Sequence, residues 1–490
     1  MIASPKQRFA TALWRLADLD QASTRGRSFR ARAYRRAVWS LDNLSAELVE
    51  SPEVVLDVPG IGAGIARLYE EFRQTGSLAA LETLARRLPS GAAALSRLPR
   101  MTPPRLRALK AELGVESVSD LSQAIVAGSA ETLPGVGRQT TELWVRALGQ
   151  RRPGTPIFTA RAFAERLAQH VESKVFGSAV ELDGAVARLE DWVDEIELRI
   201  AGGTGVREFF EQSALTTAFE KVKNGVRLET LGGSVLATIV GSRAKARVSA
   251  PAVLLDALKG DLHTHSDWSP DGRQSLYDLV ASAVTRGYEY VGVTDHAVGL
   301  RFGGLDAERL RAQRVELEKI RNEFPDIAVL HGVELNIDRD GEVDFDTDLL
   351  AWLDFTVAGF HSLLSLGADE QTPRALRAVA NPQVDIIAHL TGRRIGIRPP
   401  IELDLPVVLG AAAANGTVLE VNGHLDRLDI SVELIEMAVD YGVLFVANSD
   451  AHRSAELDNV KNACVLLERA GVDPASVVNT WTLGALKTRL

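Results

Sequence analysis

Over the first 150 positions apolar residues recur every three to four places among Ala, Leu, Arg and Glu, interrupted by short Gly and Pro breaks. That period predicts a series of short amphipathic helices. RRPGTP (151–156) reads as a linker. Residues 157–250 mix helix with the alternating runs VDEIELRI (193–200), GVRLETL (225–231) and SVLATIV (234–240), a pattern that predicts a small α+β unit. From 257 onward the rhythm changes to regular strand–helix alternation. Seven short apolar runs, 260–265, 290–296, 327–335, 355–361, 384–390, 417–422 and 444–452, are separated by helical stretches and read as buried parallel strands.

Six of the nine histidines and two acids fall at the C-terminal ends of those runs. They are His263 and His265, His296, Glu334, His361, His389, Asp450 and His452, and Asp271 in the loop SPDG completes the set. Parallel β/α units closed into a barrel bring every strand C-terminus to one mouth, so these side chains are expected to converge. Neutral imidazoles with ionised carboxylates are a donor set for divalent cations. His263 and His265, two apart, leave the same strand face and can reach one ion, and Asp450-Ala451-His452 repeats that spacing. Nine donors exceed the four of a structural zinc site and predict two or three ions. His331 reads as a core or supporting histidine and His170 as structural; no side-chain nucleophile is evident.

Two segments share another pattern, VPGIGAGIARLYEEF (58–72) and LPGVGRQTTELWVRAL (133–148). Gly60, Gly62 and Gly64, and Gly135 and Gly137, let a turn enter a helix with no side chain in the way, so the first backbone N–H groups can approach a phosphate oxygen. The pattern resembles the helix-hairpin-helix motif, which holds a DNA backbone without reading bases. A third stretch, LSRLPRMTPPRLRALKAELG (95–114), keeps the register but has Pro103 and Pro104 where glycines belong, and reads as degenerate.

Charge sharpens this division. The net charge of −10 hides a front part, 1–160, with 22 Lys and Arg against 15 Asp and Glu, followed by 33 against 50 in the remainder. A basic front suits a nucleic-acid partner, with the acidic body's repulsion of DNA overcome by that front and by bound cations. The single cysteine, Cys464, excludes an internal disulfide and a cysteine-based zinc site. No apolar run approaches the roughly 18 residues of a membrane span, and the polar start does not resemble a secretory signal. A soluble, cytoplasmic, nucleoid-associated monomer is expected, with DNA as partner and no protein partner indicated.

DLHTHSDWSPDG, VTDHA, HGVELNI, GFHS, AHLTGR and NSDAH resemble the motifs of the polymerase-and-histidinol-phosphatase (PHP) domain over about 230 residues. The resemblance implies a distorted seven-stranded (β/α)7 barrel whose metal and catalytic positions are His263, His265, Asp271, His296, Glu334, His361, His389, Asp450 and His452. The order of parts is similar to bacterial family X DNA polymerases with a C-terminal PHP domain, and HLTGRRIG (389–396), RLDI (427–430) and NSDAHRSAELDNV (448–460) look closer to that branch than to free-standing phosphatases. The implied domains are 1–87 and 88–152, each with helix-hairpin-helix character, a palm remnant at 153–250, and the PHP domain at 257–490. The implied activity is a manganese-dependent 3′–5′ exonuclease, sometimes trimming abasic sites or 3′ ends in DNA repair, with Mn2+ or Zn2+ bound and Fe as a further candidate. Arg393, Arg394 and Arg427, after strand ends at the same mouth, are candidate phosphate clamps, and His424 a candidate substrate contact or leaving-group acid; surface ion pairs are the competing reading of the arginines.

The polymerase part departs from its pattern. FGS (176–178) is followed by no arginine, Glu195-x-Glu197 stands in place of Asp-x-Asp, and SVLATIV offers no third acid. An octahedral magnesium site tolerates little displacement by the longer Glu, and no length remains for a thumb before the barrel. Loss of polymerase activity is therefore expected, with Glu195 and Glu197 on a solvated strand face. The competing functions are a phosphatase of small phosphomonoesters of the histidinol-phosphate type, a non-catalytic DNA scaffold, and a residual polymerase.

Overall fold

A computed structural model describes residues 4–26, 28–42, 55, 58–149, 154–202, 204–240, 253–299 and 303–490. The chain divides into two compact units, Met1–Val248 and Ser249–Leu490. Among the described residues no helix is long and apolar enough to cross a membrane.

The first unit begins with α1 (Pro5–Ser23) and α2 (Phe29–Leu41). Ser4 caps α1 through a reciprocal pair in which its hydroxyl accepts from Gln7 N–H and its own N–H donates to Gln7 Oε1. Further helices follow, α3 (Ala63–Thr75), α4 (Pro103–Leu113) and α5 (Arg138–Gly149). Leu106, Leu109 and Trp144 share one buried core with Leu98, Leu133 and Val136.

Next, α6 (Ile157–Lys174) buries Ile157, Ala160, Phe163, Ala164, Leu167 and Val171 at helical spacing. It lies against a five-stranded sheet of β1 (Ser178–Asp183), β2 (Ile196–Gly202), β3 (Thr216–Val222), β4 (Gly225–Thr230) and β5 (Gly233–Val240). The order is β1-β2-β5-β4-β3, with β2 and β5 parallel and the other pairs antiparallel. The apolar alternation in the sequence marks β2, β4 and β5 and passes over β1 and β3. Those two are the sheet edges, and β3 carries exposed Thr217, Ala218, Glu220 and Lys221, the polar surface that edges tolerate. Linker positions 151–153, and 241–252 where the sequence places the end of this part, lie outside the described residues.

Asp42, just after α2, ties three parts of the first unit together. Its buried carboxylate accepts from Ser213 Oγ at 2.7 Å and from Ala214 N–H, and faces His170 Nε2 at 3.1 Å and Lys6 Nζ at 3.7 Å.

The second unit is α/β with parallel strands. One sheet has the order β8-β7-β6, built from β6 (Gly260–Asp261), β7 (Tyr290–Val293) and β8 (Ala328–His331). The other runs β9 (Glu334–Asn336), β10 (Val357–Gly359), β11 (Ile386–Ala388), β12 (Val418–Asn422), β13 (Phe445–Asn448) in that order. Parallel bridges Thr264↔Ala451 and His296↔Glu334 join the two sheets beyond the strand ends. Connecting helices include α7 (Leu276–Thr285), α8 (Ala307–Glu323), α9 (Thr347–Trp352), α10 (Ala368–Ala380), α11 (Leu405–Asn415) and α12 (Val432–Asp440). Ser275, Asp306, Asp346, Asp404 and Ser431 cap five of these with a side-chain oxygen, which fixes where each return from the sheet begins.

The run read as one strand at 327–335 divides at Gly332–Val333, so that β8 pairs with β7 while β9 pairs with β10. Gly332 permits this because a Cβ there would lie 2.8 Å from the Phe355 ring and 3.0 Å from its carbonyl oxygen. The break leaves Glu334 at the start of β9, where the two sheets meet.

Candidate metal centre

Glu334 sits inside a ring of imidazoles. Its Oε1 lies 2.9 Å from His361 Nε2 and 2.8 Å from His389 Nε2. Its Oε2 lies 2.7 Å from His296 Nδ1, 3.4 Å from His263 Nε2 and 3.5 Å from His265 Nε2. Asp450 closes another side, with Oδ1 at 3.4 Å from His265 Nε2 and 3.7 Å from His263 Nε2. At the rim Asp271 Oδ2 lies 3.5 Å from His296 Nε2 and 3.3 Å from His452 Nε2. The eight strand-end residues singled out in the sequence and the loop residue Asp271 are thus brought together.

Within this set, four triads have ligand atoms within 4.8 Å of one another: His263/His265/Asp450, His263/Glu334/His389, His296/Glu334/His361 and His265/His296/His452. Among the described residues no such triad occurs in the first unit. His263 Nε2, His265 Nε2, His296 Nδ1 and Glu334 Oε2 are buried without a hydrogen bond. Orphaned buried polar atoms cost free energy unless something binds them, so this donor set fits divalent cations.

The backbone is shaped around the cluster. His389 and Asp450 take left-handed φ values of 31° and 53°, conformations that cost about 1–3 kcal/mol each and persist where surrounding structure imposes them. Gly359 leaves room for two rings, since a Cβ there would lie 2.6 Å from His389 Cε1 and 3.0 Å from His361 Cε1.

Outer contacts aim the rings. His263 Nδ1 meets Glu420 Oε1 at 2.6 Å, turning Nε2 inward. Glu420 also accepts from Asn448 Nδ2, Asn422 Nδ2 and the His389 N–H. Asn336 Oδ1 holds His361 Nδ1 at 2.9 Å, and the Asp450 carbonyl accepts from His452 Nδ1 at 2.9 Å. Sequence reasoning missed Glu420 and Asn336. For Glu420 the signal was present, an acid inside the apolar run TVLEVN, which is costly unless it has partners.

Electrostatics divides the histidines. Burial works against a proton on His263, but Glu420, Glu334 and Asp450 outweigh it and raise its pKa well above the ordinary value. Burial likewise opposes the charge on His296, yet Glu334 and Asp271 raise it to about 10. Burial and the neighbouring His452 and His296 push His265 down to about 3, and burial takes His361 to about 4 against the pull of Glu334. Glu334 and Asp450 resist burial and stay ionised, held well below the carboxylate range by the facing imidazoles and, for Asp450, by Arg427. A field that retains protons on His263 and His296 would equally retain cations, at the expense of those protons.

The candidate phosphate clamps all have partners within the protein. Arg427 Nε donates to Asp450 Oδ2 at 3.1 Å, Arg393 Nε to the Leu428 carbonyl at 2.9 Å, and Arg394 pairs with Asp426 through two nitrogens. His424 Nδ1 also meets Asp426, at 2.5 Å. The acid that holds Arg394 and His424 is Asp426, while Asp429 accepts from Thr391 and the Arg393 N–H. His331 stands apart from the cluster, against Gln313 Oε1 and Arg314 Nε, and burial with Arg314 lowers it to about 3.

In the first unit both glycine hairpins fold alike. Ile61 N–H donates to Val58 O and Val136 N–H to Leu133 O, each at 3.0 Å, across Gly60 (φ 92°) and Gly135 (φ 74°). Gly62, Gly64 and Gly137 are exposed with open space where a Cβ would be. The third stretch makes the same turn, Met101 N–H to Leu98 O at 3.0 Å, with Arg100 in the left-handed region at φ 56°. Pro103 and Pro104 open its helix, so two of the N–H groups that could meet a phosphate are absent. It is instead attached to the second hairpin, where Trp144 Nε1 donates to Pro99 O at 2.8 Å and Arg105 to Gly135 O at 2.5 Å.

The carboxylates of the five-stranded sheet are arranged differently. Glu195 pairs with Arg227 at 2.8 Å, and Asp183, opposite Glu197 across the strands, pairs with Arg199 at 2.8 Å. Beside Glu197 on the parallel neighbour β5 stands Leu236, and β5 has no acid at all.

Residues 4–78 match the helix-hairpin-helix domain family and residues 261–396 the PHP domain family. The DNA polymerase/3′-5′ exonuclease PolX of Bacillus subtilis is 28% identical over 541 residues, covering 93% of this chain and 94% of that protein. A probable phosphatase of Acetivibrio thermocellus is 30% identical over 235 residues, covering 45% of this chain and 90% of that protein. Among solved structures, the histidinol phosphate phosphatase of Lactococcus lactis complexed with zinc, L-histidinol and phosphate covers 44% of this chain and 94% of its own, at 21% identity and a TM-score of 0.36.

Proposed function

Because the chain belongs to the family X DNA polymerase-like proteins that carry a C-terminal PHP domain, we propose that it is a metal-dependent 3′–5′ exonuclease that processes DNA ends in repair and has lost its polymerase centre. The observation that carries this reading is the convergence of six imidazoles and the carboxylates Asp271, Glu334 and Asp450, with four ligand atoms buried and lacking an aligned hydrogen bond. Two or three cations, manganese or zinc with iron as a further candidate, would be held by His263, His265, Asp271, His296, Glu334, His361, His389, Asp450 and His452. When bound they would supply Lewis-acid activation of water and charge neutralisation at the phosphate.

The chain's own residues do the rest. Glu334 and Asp450 stay ionised and attract the cations, and Glu420 and Asn336 hold two rings in the orientation that binding needs. Arg427 fixes Asp450 in place. The second unit is read as a distorted seven-stranded barrel, taking β8 and β9 as one interrupted member of the ring. The hairpins at Gly60–Gly64 and Gly135–Gly137 would grip the DNA backbone sequence-independently, for which their exposed glycines leave room. Domains at 1–87, 88–152, 153–250 and 257–490, and action on the nucleoid in the cytoplasm, complete the reading. Loss of polymerase chemistry rests on Leu236 beside Glu197 and on the arginine pairing of Glu195 and Asp183.

The test is a time course on an oligonucleotide labelled at its 5′ end, using the full chain stripped with EDTA and then supplied with manganese, beside elemental analysis of the purified protein. Shortening from the 3′ end only when metal is restored, abolished in His263→Ala, is the expected result. Hydrolysis of a chromogenic phosphomonoester with no attack on DNA would move the assignment to a small-molecule phosphatase, and unchanged DNA hydrolysis in His263→Ala would remove this cluster from the reaction.

A further inference from the structure

Two arginines that closely follow candidate ligand residues in the chain are unlike Arg393, Arg394 and Arg427. Arg273 follows Asp271 by two positions, and Arg453 follows His452 by one. Among the described residues neither guanidinium has an ion pair or a side-chain hydrogen bond, whereas Arg393, Arg394 and Arg427 are all engaged. Both line one cavity of about 440 Å3, with Gln274, Ser282, Ser454 and Asp278 also in its wall.

The wall is built rather than incidental. Gly272 brings the loop so close to Ser266 that a Cβ would lie 1.7 Å from its carbonyl oxygen. Arg273 N–H then donates to His452 O at 2.9 Å. Gln274 Nε2 donates to His265 O at 3.0 Å, while its Oε1 accepts from Ser454 Oγ at 2.9 Å. The loops bearing Arg273 and Arg453 are therefore fastened to each other and to two candidate ligand residues, His265 and His452. Asp278, the one acid in the wall, accepts from Ser275 Oγ at 2.8 Å and keeps its charge, leaving two positive charges in the wall against one negative.

Two planar, permanently charged donors without a side-chain partner, outnumbering the one acid around the same cavity, suit an oxyanion with several acceptor oxygens. A small phosphomonoester has a single phosphate, which the metal cluster itself would take. A polynucleotide has another phosphate one nucleotide away. We propose that Arg273 and Arg453 form a subsite for a backbone phosphodiester neighbouring the scissile one, so that this cavity favours nucleic-acid strands over monoesters. The inference rests on the exonuclease reading of the cluster and adds the substrate feature that the cluster alone does not specify.

The experiment compares the full-length chain with its Arg273→Ala/Arg453→Ala double variant, both supplied with manganese. Substrates are a thymidine 12-mer and a thymidine dinucleotide that has only the scissile phosphodiester. The expected result is a KM for the 12-mer raised about tenfold with kcat within twofold, and no change in either constant on the dinucleotide. The Arg273→Lys/Arg453→Lys variant should recover part of the loss, since it restores charge without the fork. Unchanged KM on the 12-mer, or equal losses on both substrates, would overturn the subsite. In parallel, binding of the labelled 12-mer in EDTA is measured against salt. The slope of log K on log salt should fall by about 0.7 for each phosphate contact removed, and an unchanged slope rejects the subsite. If the unaltered chain cleaves no DNA but the slope still falls in the double variant, the exonuclease reading fails and the subsite stands.

Discussion

Each unit carries acids in or beside its sheets, and the two treat them in opposite ways. In the five-stranded sheet Asp183 and Glu195 face arginines, partly exposed, and such pairs contribute about 0–1 kcal/mol each. An arginine does not give up its proton, so those carboxylates are already neutralised whatever ion is offered. In the parallel unit Glu334 and Asp450 are buried and face mainly imidazoles, which can lose a proton to make way for a cation. Geometry adds to chemistry. Parallel strands end together, so side chains from six strand ends reach one point, while antiparallel neighbours send their ends to opposite sides. A pair of acids on adjacent strands is therefore no guide to ion binding until the counter-charge opposite them is known.

The sharpest way to break this contrast is a matched pair of isosteric changes. Glu334→Gln should lower 3′–5′ hydrolysis by about 10^3-fold or more, since a metal-dependent centre is worth several kcal/mol of barrier, and should reduce bound metal in elemental analysis. Glu197→Gln should leave both within twofold. Comparable losses would mean that the sheet's acids take part after all.

A smaller effect is expected at the hairpins. Gly62→Val and Gly137→Val insert side chains into open space, so thermal unfolding should not shift, yet the added bulk stands where a phosphate would approach. Together they should weaken binding of a non-specific duplex about tenfold in a filter or anisotropy assay at fixed salt. Valine at both sites with undiminished affinity would reduce these turns to scaffolding.

Asp42 gives the smallest expected change and tests a carboxylate satisfied by protein alone. Burial raises its pKa, but His170, Ser213, the Ala214 N–H and Lys6 prevail and depress it. A depressed folded pKa adds stability that is complete above the unfolded value of about 3.9 and fades as pH falls through the folded one. Asp42→Asn should cost about 1–3 kcal/mol in hydrogen-exchange protection of α1 and α6 at pH 7. The gap from the unaltered chain should narrow below pH 4, and a gap independent of pH would assign the effect to shape rather than charge.

Much of the centre was legible because ligand residues stood at the ends of apolar runs, where parallel strands deliver them to one side. The positions of His263, His265 and His389 follow from that regularity alone. What the runs did not disclose depends on contacts across the fold. The division at Gly332 is set by Phe355, more than twenty positions away, and a continuous apolar run conceals it. Arg427 is a candidate phosphate clamp by its place after a strand end, and only the fold shows that it reaches Asp450. The edge strands β1 and β3 escaped notice because half-paired strands need no strict alternation. Arg273 and Arg453 carry no local signature either; only the absence of partners in three dimensions sets them apart.

The interruption between β8 and β9 has a mechanical consequence. A single stretch of chain is hydrogen-bonded to one sheet on its upstream side and to the other on its downstream side, with Glu334 immediately after the crossover. Any parting of the sheets would load that short span first and drag its carboxylate out of register with the rings facing it. The centre is thereby suspended across a seam: it keeps its shape only while the seam is shut, and whatever clamps the ring of donors also draws the two halves of the unit together.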